Sequence, residues 1–118
     1  MNKKYDLEER LVKFAGDTII FLNNLPTNRS GLNLSDQLTR SATSSALNFG
    51  EAQGAESIKD QIHKLGICLK EIKESRVALK IIKYLKYGDS ETGLKLLRES
   101  EELAAIIATV IKNKRKSN

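Results

Sequence analysis

A chain of 118 residues has material for one domain and one hydrophobic core. It is 40% hydrophobic and 30% charged, with one Pro, no Trp and six aromatic side chains, and its wealth of Leu, Ile, Lys and Glu predicts an all-α fold. One Cys excludes an internal disulfide framework, and with a single His it leaves almost no material for a transition-metal site, so neither a metal nor another cofactor is expected.

Leu7, Leu11, Phe14, Thr18, Phe21 and Leu25 recur at spacings of four and three, which predicts a first helix over about residues 6–25. Pro26 ends it, because the residue before a proline is pushed out of the α region. Thr27-Asn28-Arg29-Ser30-Gly31 is turn chemistry. The second helix is expected over about 33–53, with Asn33 as its N-cap. Its inner stripe is small-sided at Ser41, Ala42, Ser45 and Ala46, which permits close approach of a neighbour.

Gly54 suits a C-terminal cap, and Ser57 with Asp60 resembles a capping box opening a third helix over about 57–87, stopped by Gly88. Asp89 or Ser90 then caps a fourth, over about 90–114, which leads into a basic tail, 112–118. Four helices with short connections most simply form an antiparallel up-down-up-down bundle. The first ten residues hold no apolar signal-like stretch, and the longest apolar run, Leu103 to Ile111, is too short for a bilayer. A cytoplasmic protein without a membrane partner is expected.

The net charge of +5 is unevenly placed. Residues 1–56 carry six basic and seven acidic side chains, residues 57–88 eight and three, and residues 89–118 six and five. Localised basicity favours nucleic acid, an anionic surface or an acidic partner, against the plainer reading of a solvated helix face.

The third helix has three stripes. Leu65, Cys68, Ile72, Ser75, Leu79 and Ile82 make a core seam; Lys70, Lys73, Arg76, Lys80 and Lys83 make a basic one. Ile67, Glu71, Glu74, Ala78, Ile81 and Leu85 form another seam, apolar at both ends. It is expected to face a second subunit through Ile67, Ala78, Ile81 and Leu85; the alternative is a broad core-facing side with the glutamates reaching water. Arg40, flanked by small residues, is placed to pair with Glu71 or Glu74 as a structural ion pair.

No catalytic arrangement emerges. Asp60-Gln61-Ile62-His63 supplies one carboxylate-His unit where a di-iron bundle needs two, Cys68 and His63 do not share a helix face, and Gly50 and Gly54 lack the spacing of a phosphate loop. The chain is not expected to be an enzyme.

Gln37-Leu38-Thr39-Arg40-Ser41-Ala42-Thr43-Ser44, then Asn48-Phe49-Gly50-Glu51-Ala52-Gln53-Gly54-Ala55-Glu56-Ser57, Lys59-Asp60, Ile62-His63-Lys64 and Leu69-Lys70-Glu71-Ile72-Lys73-Glu74-Ser75 carry a further signal. Together with Leu25-Pro26, these pieces resemble the bacterial four-helix-bundle family of proteins encoded in intervening sequences of large-subunit ribosomal RNA genes. Phe49 stands where that family often has Tyr, and Gln61 where it often has Phe. The resemblance implies an antiparallel four-helix protomer in a homopentameric ring. It also implies kinship with the accessory variability protein of diversity-generating retroelements, a basic pentamer that binds nucleic acid and a reverse transcriptase.

The expected function is a non-enzymatic homo-oligomeric scaffold that binds RNA or DNA through Lys70, Lys73, Arg76, Lys80, Lys83, Lys86, Lys112, Lys114, Arg115 and Lys116. With no Trp and most aromatics at core positions, base stacking is not expected to be prominent. The alternative is an adaptor that contacts a reverse transcriptase or another protein and no nucleic acid.

Overall fold

The computed structural model describes residues 6–117 and consists of four helices: α1 (Leu7–Leu22), α2 (Arg29–Gln53), α3 (Ile58–Leu85) and α4 (Ser90–Ser117). No strand occurs among the described residues. Leu11, Phe14, Leu38, Leu65, Ile72, Leu79, Ile82, Leu103 and Ile107 are enclosed between the helices. The particle measures 47 × 29 × 19 Å, and its long dimension fits the roughly 42 Å of a 28-residue helix.

The helix ends depart from the sequence expectations in four places. Asp6 caps α1 by accepting from the Glu9 N–H at 3.1 Å, but the helix stops at Leu22, not near Leu25. Asn23, Asn24 and Leu25 tighten into a turn, with Leu25 N–H donating to the Leu22 carbonyl, because Pro26 bars Leu25 from helical backbone. Leu25 nevertheless remains buried.

The second helix begins at Arg29, four residues before the expected Asn33 cap. Asn28 is equally suited to the role, and its side chain accepts from the Gly31 N–H at 2.9 Å. Gly31 is therefore helical, and its missing side chain has a purpose. A Cβ there would lie 1.9 Å from the Pro26 carbonyl oxygen, so only glycine lets the connection fold back over the first turn.

Ser57 caps α3, accepting from the Asp60 N–H at 3.0 Å. The helix ends at Leu85, because Lys86 adopts the left-handed conformation at φ 61° and the Tyr87 N–H turns back to the Ile82 carbonyl. Gly88, the expected stop, continues the same turn at φ 73°. Asp89 caps α4: its carboxylate accepts from both the Thr92 N–H and the Thr92 hydroxyl, which hold its pKa below the ordinary carboxylate value. The basic segment 112–117 is part of α4 and not a separate tail; its cations sit favourably at the negative end of the helix dipole. Asn118 lies outside the described residues.

The inner face of α2 explains how closely it meets α3. Ser41, Ala42 and Ser45 are fully enclosed, and the Ser41 and Ser75 hydroxyls meet at 2.7 Å. Ser45 and Ser75 also donate to carbonyls on their own helices, so these buried hydroxyls are satisfied. By contrast α1 is only 16 residues long, and Arg10 in its first turns already meets Glu99 and Glu102 of α4. The last turns of α4 instead lie beside the first turns of α3.

Candidate nucleic-acid interface

Carboxylates and cations separate across this fold, and the separation defines the candidate site. On α3, Glu71 and Glu74 project toward α2, where Arg40 donates to both, to Glu71 at 3.2 Å. Glu71 is buried while Arg40 is 54% exposed, so the pair bridges the interior to solvent along the guanidinium plane. On α4, Glu99 accepts from Arg10 Nε and Nη2 at 2.8 and 2.9 Å, and Glu102 accepts from the same side chain. The hydrogen bonds to Glu99 and then Glu102 raise the Arg10 pKa above its already high ordinary value. Four of the carboxylates on the two longest helices are thereby held by arginines of α1 and α2.

Lys80, Lys83 and Lys86 at the end of α3 and Lys112, Arg115 and Lys116 of α4 are left along the seam that those two helices share. Lys70, Lys73, Lys80, Lys83, Lys86, Lys112, Arg115 and Lys116 are exposed, and Arg76 and Lys114 are half-buried. None of these ten makes an ion pair within 4.0 Å among the described residues. Lys73 and Lys80 are two helical turns apart on one face of α3, which continues back to Gly66.

That face joins two depressions. One, about 470 Å³, lies between Gly66 and Leu69 of α3 and Ala108, Ile111, Lys112, Arg115 and Lys116 of α4. The other, about 760 Å³, is walled by Lys80, Lys83, Tyr84 and Lys86 on one side and Leu94, Leu97, Arg98 and Glu101 on the other. Lys114 stands apart, in a shallower hollow with Ile58, Val110 and Asn113. Arg76 lines neither depression, and its Nε is enclosed and unpartnered among the described residues. Lys70 is exposed but lines neither depression.

Two residues of this seam escaped the sequence reading. Arg98 stands next to the acidic run Glu99, Glu101 and Glu102 in the sequence, yet two of those carboxylates turn to Arg10. Tyr84, which belongs to none of the three stripes of the third helix, is 86% exposed. Its place two residues after the core residue Ile82 was the available signal that it faces outward.

The stripe expected to meet another subunit divides in two. Ala78 is buried within its own chain and offers little surface to a neighbour. Ile81 and Leu85 are exposed at 44% and 39%, and Ile67 is half-buried.

Cys68 is buried, and desolvation pushes its thiol pKa up to about 12. Among the described residues no three His, Cys, Asp or Glu side chains gather as metal ligands, and no helix is long and apolar enough to cross a membrane.

The profile of a family described as 23S rRNA-intervening sequence protein matches residues 3–109. Among solved structures, a protein of unknown function from the S23 ribosomal protein family of Bacteroides thetaiotaomicron is similar at 28% identity and a TM-score of 0.81, covering 89% of this chain and 97% of that one. No curated protein matches the chain.

Proposed function

The chain belongs to the 23S rRNA-intervening sequence protein family, and from that premise we propose that it is a non-enzymatic, homo-oligomeric scaffold that binds RNA or DNA through the phosphates. The observation that carries this reading is the sorting of charge. Arg40 and Arg10 occupy Glu71, Glu74, Glu99 and Glu102, and the cations of the α3–α4 seam are left for an external polyanion. Each phosphate contact is weak, and assembly sums them: five copies would raise the net charge of +5 to about +25.

The protomer in this reading is an antiparallel up-down-up-down bundle. Its support is that Ser41–Ser75 and Glu51–Lys64 pair in opposite order along α2 and α3. The assembly is a pentamer, as the family resemblance implies, formed through the surface of Ile67, Ile81 and Leu85. A second reading, a protein-binding adaptor, draws on the apolar side chains that α1 and α2 leave in solvent, above all Ile20 and Leu47.

An RNA-binding titration across a salt series tests the first reading. With six or more phosphate contacts, affinity falls about a thousandfold between about 50 and 200 mM salt and is indifferent to base sequence. Lys73→Glu, Lys80→Glu and Lys83→Glu together abolish binding while the mass by light scattering stays unchanged. Undiminished affinity in that triple variant, or no binding by the unaltered protein at the lower salt, removes the proposal.

A further inference from the structure

Among the described residues Tyr84 is the most exposed of the large apolar and aromatic side chains, in a protein whose three phenylalanines are all buried. A ring held in water contributes nothing to the core, and this one stands where cations converge. It is one helical turn from Lys80 and adjoins Lys83 on the rim of the groove between α3 and α4, which Lys86 and Arg98 also line. Glu101 is the one carboxylate on that groove, so four cations face a single anion.

We infer that this groove binds single-stranded nucleic acid, with an unpaired base stacked on Tyr84 and the flanking phosphates held by Lys80, Lys83, Lys86 and Arg98. The inference rests on the nucleic-acid reading above and narrows it from any phosphate backbone to an unpaired strand. Within a duplex each base face is already stacked on its neighbour, so an aromatic platform gains nothing from paired bases. Side chains three or four positions apart on a helix have Cβ atoms about 5–6 Å apart, a spacing matched to successive phosphates of an extended strand. Stacking accepts any base, which preserves indifference to sequence. An acidic peptide would satisfy the cations but would leave the ring without a flat partner.

Fluorescence anisotropy with three labelled probes tests this: a single-stranded oligonucleotide, an abasic backbone of equal length, and a duplex. Tyr84→Ala weakens the single strand about tenfold or more and leaves the other two within about twofold, whereas Tyr84→Phe retains full affinity. Because Tyr84 packs against little, both variants keep the unaltered unfolding midpoint. The inference is overturned if Tyr84→Ala leaves the single strand untouched, if it weakens all three probes alike, or if Tyr84→Phe fails as Tyr84→Ala does. Binding of all three probes with no effect of Tyr84→Ala removes the stacking alone. Failure of the unaltered protein to bind any probe removes the phosphate reading with it.

Discussion

Glu71 is the one charged residue buried among the described residues, and Arg40 supplies its counter-charge from the neighbouring helix. Taking Arg40 away leaves a carboxylate enclosed with no cation, a larger loss than the pair itself contributes. Arg40→Met is expected to destabilise by about 1–2 kcal/mol, below the full value for a buried pair because the guanidinium is half in water. Glu74→Gln, at the exposed end of the same fork, costs about 0.5 kcal/mol or less. Urea unfolding of the two variants separates them, and equal losses would contradict this division of roles. The reach of Arg40 across small neighbours was legible in the sequence. Which of the two glutamates is enclosed was not, since they share one stripe and only the packing of α2 distinguishes them.

At the scale of the helices, hydrophobic spacing was the dependable signal. All six residues of the α3 core seam, Leu65 through Ile82, are buried, because a 3.6-residue period leaves one face to the interior. Helix ends were less legible, because they depend on single backbone conformations that several residue types can adopt. Asn28 and Asn33 are both competent caps, and the choice falls to Asn28 because the Pro26 carbonyl folds over Gly31. Asn28→Ala is therefore expected to cost about 1 kcal/mol, whereas Asn33→Ala, whose side chain reaches only Gln37, is close to neutral in thermal unfolding. The reverse order would place the cap at the later residue. Lys86 shows the same limit: nothing in its side chain announces a left-handed backbone, and Gly88 two residues on was the more obvious stop.

Across the whole molecule, the sum of charges was readable from the sequence but their partition was not. The basic excess of residues 57–88 is a count; its concentration along one seam follows from where Arg10 and Arg40 draw the glutamates. The proposed assembly surface has the same character, since the spacing marked a stripe while burial leaves only Ile67, Ile81 and Leu85 of its apolar members in reach of solvent. Ile81→Asp with Leu85→Asp is expected to lower the light-scattering mass to that of one chain and leave helical content unchanged; a single-chain mass before substitution would refute the assembly. The core holds one more consequence. Cys68 has no exposed surface, and its buried sulfur keeps its proton at neutral pH. An alkylating reagent therefore meets this sulfur only when the helices part, which makes the chain's single thiol a native clock for the opening of its interior.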